Sequence, residues 1–405
     1  MRKPLEGIRV LELTTFVAAP CCGRLLADLG ADVIKVERLS GDTWRETGIN
    51  YHPNFNEDAN PVFDIYNSGK RFISLDLKSK SGMEVFKGLL AEADVFITNT
   101  RPQALKRLGI AYEDIREQYP SLVYAIVLGY GEEGPDAGKP AFDTTAFWSR
   151  SGFLRDQSLV TDSYMPVTPP FSAGDTVTGI VLMGEICAAL LNRTVTGKGD
   201  YVRSGLYHNG IFTFGTMELI SQKPWGRKYP TDRLGAGAPG GLYRCQDDEW
   251  IFIAMGYAPA YLPVMFKMID RPELCEDPRF KTHEARLQYR EEVYTVFRDA
   301  FLTKPSDYWV EMAGVMDLPL VRLNHYGDVS TDEQAWANGY LEKMTFRSGL
   351  EGIMPRSPLS FESLGPIDTV CAPLIGADTV AVLEEMGYSP EQIEEMKQSG
   401  AIGTR

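Results

Sequence analysis

Residues 8–37 read IRVLELTTFVAAPCCGRLLADLGADVIKVE. The first six, IRVLEL, form an apolar run of strand length. PCCGRLLADL (20–29) carries apolar residues at helical spacing and stops at Gly30, and ADVIKVE (31–37) is a second apolar strand. Strand, helix and strand in so short a stretch make a β-α-β unit, which commits this part of the chain to a parallel sheet with crossover helices. The pattern recurs. FISLDL (72–77) reads as a strand, SGMEVFKGLLAEA (81–93) as a helix and DVFITN (94–99) as a strand; short helices follow at 103–108 and 112–118, then the strand LVYAIVLGY (122–130). Residues 1–200 are expected to form an open, Rossmann-like α/β sheet, in which ligands sit beyond the carboxyl ends of the strands. Arg38 and Lys78 follow predicted strands, and Arg107 and Lys139 lie farther on. Singly, each is an ordinary surface cation. Together they stand where a phosphate-bearing ligand would bind.

Beyond the sheet the texture changes. KPWGRKYPTDRLGAGAPGG (223–241) is rich in glycine and proline, and residues 201–234 are expected to be a linker. Gly235, Gly237 and Gly240 match G-x-G-x-x-G by letter. They follow no apolar strand and open no helix, so the dinucleotide reading is rejected; a loop over a site and a plain linker both remain. Residues 235–328 are expected to be a smaller α/β domain. GLYRC and WIFIAM form a hairpin, helices fall near 259–269, 288–302 and 305–315, and a strand lies at 319–323. Residues 329–405 are expected to return to the large domain, with strands at 341–346 and 352–361 and helices near 377–387 and 389–399. Ser389 is the N-cap of the last helix and Pro390 its first residue.

With 405 residues, 44% of them hydrophobic, the chain can bury two cores or more. A net charge of −14 makes nucleic acid an unsuitable partner. No run of 18 uninterrupted apolar residues is present, so no membrane span is expected. The six cysteines lack C-x-x-C spacing and read as reduced thiols of a cytoplasmic protein. No P-loop supports a nucleotide triphosphate. The four histidines lack zinc spacing, and no G-x-S-x-G elbow is found.

One acid stands apart. In PPFSAGDTVTGIVLMGEICAALLNRTVTGKGD (169–200), Asp175 follows Ser172, Ala173 and Gly174. The apolar residues Val177, Ile180, Val181, Cys187, Ala188 and Leu191 define one helical face, ended near Gly197. Asp175 would sit at the helix start. Spacing favours a helix N-cap; a nucleophile exposed among small residues is the alternative.

The blocks PLEGIRVLEL, LLADLGADVIKVER, NSGKRFISLDLKS, LGYGEEGP and AGDTVTGIVLMGEICAALLNRTVTGKGDYV come in the order of the class III CoA-transferases, the CaiB/BaiF or formyl-CoA transferase type, and nearly the whole chain resembles them. That resemblance implies an α/β fold: a Rossmann-like large domain built from both termini, a smaller α/β domain and a homodimer of interlocked chains. It implies coenzyme A and acyl-CoA as substrates, with no metal and no nucleotide triphosphate. The G-D-x-x-x-G block of the family falls on Gly174 to Gly179 and makes Asp175 the nucleophile. Coenzyme A contacts fall on Phe16, Val17, Ala18, Arg38, Leu75, Lys78, Asn99, Arg107 and Lys139, and the glycine loop over the site on Gly235, Gly237 and Gly240. Leu128 stands where some members carry a basic residue.

FDTTAFWSRSGF (142–153), residues 51–69 and DEQAWAN (332–338) are similar to the subgroup acting on (R)-2-hydroxy acids such as phenyllactate and 2-hydroxyisocaproate. Phe142, Phe147, Trp148 and Tyr164 are then candidates for an acyl pocket, or plain core aromatics. The alternatives are another class III specificity, an α-methylacyl-CoA racemase, or an inactive CoA-binding protein. A racemase needs two acid/base groups, and the His-Asp pair of that branch is Phe142-Asp143 here.

Overall fold

A computed structural model describes residues 2–156, 169–226, 239–254 and 260–405. Their contacts divide the chain into two units. The larger holds the described residues of Met1–Leu154, Thr168–Gly226 and Glu333–Arg405, and the smaller those of Arg155–Val167 and Arg227–Asp332.

The larger unit is built on β1 (Arg9–Leu13), β2 (Asp32–Glu37), β3 (Arg71–Leu75), β4 (Val95–Thr98), β5 (Val123–Leu128) and β6 (Tyr201–Gly205). All six run parallel in the order β3-β2-β1-β4-β5-β6. This is the doubly wound order, with its switch point between β1 and β4. Strands covered on both faces must be apolar on both, and alternate residues divide accordingly. Leu11, Phe96 and Tyr124 pack with Val85, Phe86, Leu89 and Leu90 of the helix Lys80–Glu92, and with Val382 and Met396 of the C-terminal helices Thr379–Glu385 and Pro390–Gln398. Val10, Val95, Val123 and Ala125 pack with Cys22 and Leu26 of the helix Ala18–Asp28 and with Leu182 and Ile186 of the helix Ala173–Thr196.

The smaller unit has the hairpin β7 (Gly241–Arg244) and β8 (Trp250–Ile253), extended antiparallel by β9 (Leu320–Arg322). Tyr243, Ile251 and Ile253 face Phe266, Phe297, Phe301 and Trp309 from its helices. Back in the larger unit, β10 (Leu341–Thr345) and β11 (Glu351–Pro355) form a hairpin, and β12 (Ile402–Gly403) closes the main sheet antiparallel to β3. Ser389 caps the last helix with a complete capping box and Pro390 at its start.

Two expectations are corrected. Residues 201–226 are not a linker: Tyr201–Gly205 is the edge strand β6, and Leu206–Thr213 and Gly215–Ser221 are helices of the same unit. The helix Ala173–Thr196 turns its expected apolar face outward. Ile180, Val181 and Leu191 are exposed, while Thr178, Gly179, Leu182, Ile186, Ala189 and Leu190 are buried. The helix is apolar on every side, so periodicity could not choose the face. With 24 residues and a mean hydropathy of 1.5 it is also long and apolar enough to cross a membrane by composition, which the sequence reading did not expect; here it packs on the helix Ala18–Asp28 and on β5 and β6.

Candidate active site

The carboxyl ends of β1 to β4 form one rim. After β1 the chain turns through Phe16, whose φ of 64° is left-handed, into the helix Ala18–Asp28, whose leading N–H groups suit an anion. Asn99, after β4, bonds Thr15 of this turn. Arg38, after β2, is exposed, and donates to the Gly41 carbonyl at 2.9 Å and the Thr43 hydroxyl at 2.6 Å. Lys78, after β3, and Arg107, in the last turn of the helix Pro102–Leu108, are exposed cations.

Other residues expected to meet coenzyme A are buried or ion-paired. Val17, Ala18 and Leu75 are 1%, 4% and 1% exposed, so little of them is open to a ligand. Lys139 is ion-paired with Asp136, which Arg150 also binds. Leu128 is buried at the end of β5. Gly240 is exposed just before β7, whereas Gly235 and Gly237 lie outside the described residues.

Beneath the rim lies a buried charge cluster. Lys35 is 3.2 Å from Glu12 and 3.0 Å from Asp42, and Lys70 is 2.8 Å from Glu12. All four are withdrawn from water. Burial opposes the charge on Lys35, but Asp42, Glu12 and Glu37 outweigh it and raise its pKa. Burial takes Lys70 down to about 8, with Glu12 pulling the other way. Asp42 also accepts from the N–H groups of Phe16 and Trp44, so the cluster carries the turn above it.

Asp175 is the third residue of the helix Ala173–Thr196, and Ser172 is its N-cap. The N-cap reading of Asp175 is therefore overturned. Ser172 has φ 67° and makes no side-chain cap bond. The two glycines of the motif have separate causes. A Cβ on Gly174 would lie 2.3 Å from Asp143 Oδ1 and 2.4 Å from Phe147 Cγ. One on Gly179 would lie 2.5 Å from the Ala18 carbonyl oxygen and 2.7 Å from Cys21 Cβ. Gly174 makes room for Asp143, and Gly179 lets the two helices touch.

Asp175 keeps part of its surface open, yet burial, with the charge of Asp143 behind it, raises its pKa to about 7. At neutral pH this carboxyl is therefore only partly ionised, unlike an ordinary aspartate. Asp143 is 5% exposed. Burial raises its pKa too, opposed by the Trp148 indole N–H and the backbone N–H groups of Ser172, Gly174 and Asp175. Those donors face the carboxyl without closing: both Asp143 oxygens and Trp148 Nε1 are buried with no hydrogen-bond partner among the described residues.

An aromatic strip flanks the two acids. Phe142 packs edge-on to Phe16 at 5.3 Å, Phe16 on Trp44 at 6.1 Å, Trp44 on Tyr51 at 6.3 Å and Tyr51 on Phe171 at 6.0 Å. Phe142, Tyr51 and Phe171 are 53%, 46% and 64% exposed. Phe147 and Trp148 instead belong to a buried cluster with Ala146 and Leu206, and Tyr164 lies outside the described residues. Sequence reasoning missed Trp44, Tyr51, Phe171 and the role of Asp143. Phe171, four residues before Asp175, was the available signal.

Residues 5–379 match CoA-transferase family III. The chain is 37% identical to (R)-2-hydroxy-4-methylpentanoate CoA-transferase of Clostridioides difficile, over 98% of this chain and 99% of the relative. It is 36% identical to cinnamoyl-CoA:phenyllactate CoA-transferase of Clostridium sporogenes, over 99% and 97%. A CAIB/BAIF family protein from Brucella suis superposes with a TM-score of 0.79 at 27% identity, covering 95% of this chain and 100% of that one. The chain belongs to CoA-transferase family III. It is an enzyme of CoA transfer, a class whose substrates are CoA thioesters. Among the described residues no group of His, Cys, Asp and Glu is placed to hold a metal ion.

Proposed function

We propose that this enzyme moves coenzyme A between apolar 2-hydroxy acids and their acyl or enoyl partners, with Asp175 as nucleophile. An Asp175 carboxylate oxygen attacks the donor thioester carbonyl, the C–S bond breaks, and coenzyme A leaves as thiolate from a mixed anhydride. The thiolate attacks the Asp175 carbonyl carbon and expels the donor acid, leaving an aspartyl-CoA thioester. The acceptor carboxylate attacks that thioester, forming a second anhydride and freeing thiolate. The thiolate then takes the acceptor acyl group and Asp175 is restored. No water or electron is consumed, and each hard exchange becomes two easier ones.

The observation that carries this reading is the setting of Asp175. It is a partly open carboxylate in the first turn of a helix. Burial and Asp143 make it more basic, and hence a better nucleophile, than a surface aspartate. The strip from Phe142 to Phe171 supports an aromatic or branched acyl group, as do the acids named for the two clostridial relatives. Coenzyme A would lie along the rim, its phosphates toward Arg38, Lys78 and Arg107. The six free thiols fit a cytoplasmic enzyme. The exposed Ile180, Leu191, Val195 and Phe212 fit a face covered by a second copy.

The test is to incubate the protein with cinnamoyl-CoA and 4-methylpent-2-enoyl-CoA and map adducts by mass. A CoA-mass adduct on the peptide carrying Asp175, lost in Asp175→Ala along with transfer to 2-hydroxy acids, is the expected result. Full transfer by Asp175→Ala overturns it.

A further inference from the structure

An acid at the third position of a helix ordinarily folds back onto the helix's own leading N–H groups, as in a capping box. Asp175 occupies that position. The place at the helix end is taken by Asp143, which opens a different segment, the π-helical Asp143–Ser149. The Asp143 carboxyl faces the N–H groups of Ser172, Gly174 and Asp175, three of the four that a helix leaves without an internal partner. Ser172, the residue that would cap the helix from within, is left-handed and makes no side-chain cap bond. Gly174 is bare on the side where Asp143 Oδ1 rests.

We infer that Asp143 is a positioning residue: standing at the helix N-terminus in place of a folded-back Asp175, it keeps the Asp175 carboxylate turned outward and unbound for attack on the thioester. This rests on the reading of Asp175 as the nucleophile.

The surroundings leave Asp143 as the group able to set the titration of Asp175. The helix Ala18–Asp28 presents Cys21, whose thiol burial pushes up to about 12. The helix Pro61–Asn67 presents Tyr66, whose hydroxyl burial also pushes up and which hydrogen-bonds Thr176. Both are neutral at working pH. Lys70, the cation beside Cys21, is committed to Glu12. After burial, the charge of Asp143 is what opposes the ionisation of Asp175.

The experiment compares Asp143→Asn, which keeps the shape and removes the charge, with Asp143→Ser, which empties the space. Single-turnover formation of the aspartyl-CoA adduct is followed from pH 5 to 9, beside CoA affinity and thermal unfolding. The expected result is about a tenfold or greater loss of rate at pH 8, an acid limb moved about one unit lower, and unchanged CoA affinity. Rate loss with an unmoved limb, or a wild-type rate and limb, overturns the inference. If one variant does not fold, the other decides by the same criteria. Asp175→Asn is run in parallel. If it still transfers CoA, the nucleophile assignment fails. If it is inactive while both Asp143 variants match wild type, only the positioning role fails.

Discussion

Both polar groups of the Asn99 carboxamide are held by one residue, Thr15: Nδ2 donates to its carbonyl at 2.6 Å and Oδ1 accepts from its N–H at 3.0 Å. The two residues follow β4 and β1, the neighbours between which strand order reverses. Asn99 was expected to touch coenzyme A; its amide ties together the two lips of the crevice.

Asn99→Ala removes both bonds. At about 1 kcal/mol net each, stability should fall by roughly 2 kcal/mol, read by denaturant unfolding. CoA affinity should drop about tenfold as the Thr15–Ala18 turn loosens. An unchanged affinity would confine Asn99 to a structural role.

The titration of Asp175 sets a pH dependence. Its reactive form is the carboxylate, and its pKa is about 7. Adduct formation should therefore rise with pH up to about 7 and fall tenfold per unit well below it. Stability runs the other way. The folded state holds this proton to higher pH than the unfolded chain does. The contribution is thus full below the ordinary carboxylate value and is lost as pH rises through 7. Asp175→Asn should abolish adduct formation and flatten the stability profile; a rate independent of pH between 5 and 8 in the wild type would contradict the assignment.

Arg38→Ala should weaken CoA binding about tenfold or more, the scale of a charge-assisted contact, and reduce the salt dependence of affinity. Thr43→Ala, which only frees the guanidinium from its tether, should cost less. Equal affinities in titration calorimetry for all three proteins would remove Arg38 from the site.

Leu191 and Phe212 are 71% and 86% exposed on one chain. If a second copy covers them, Leu191→Asp and Phe212→Asp should shift the protein toward monomer in sedimentation velocity, because a buried unpaired carboxylate is costly. Unaltered dimers would place the interface elsewhere.

The sheet was legible because strands covered on both faces are mostly apolar, as IRVLEL and DVFITN are despite Arg9, Glu12 and Asp94. The edge strand YVRSG was not, since Arg203 and Gly205 give it no apolar run. The segment Asp143–Ser149 escaped because π-helical spacing matches neither the helical nor the strand period. Asp175 could be singled out by the residues beside it in the chain. The relation of Asp143 to Gly174 could not, because it joins segments thirty-one residues apart in sequence that meet only in space. Of the two readings open for Phe147 and Trp148, pocket or core, the core one holds. Phe142, one turn earlier, is half exposed, a difference that composition does not encode.

The pairing of β12 with β3 bears on synthesis. β3 is translated early, but its outer edge is closed by residues from the far end of the chain: Ile402 and Gly403 align with Leu75 and Ser74, and Asp378 exchanges bonds with the Phe72 backbone. The β3 edge therefore stays open to pairing until the C-terminal segment has been made and docked on it.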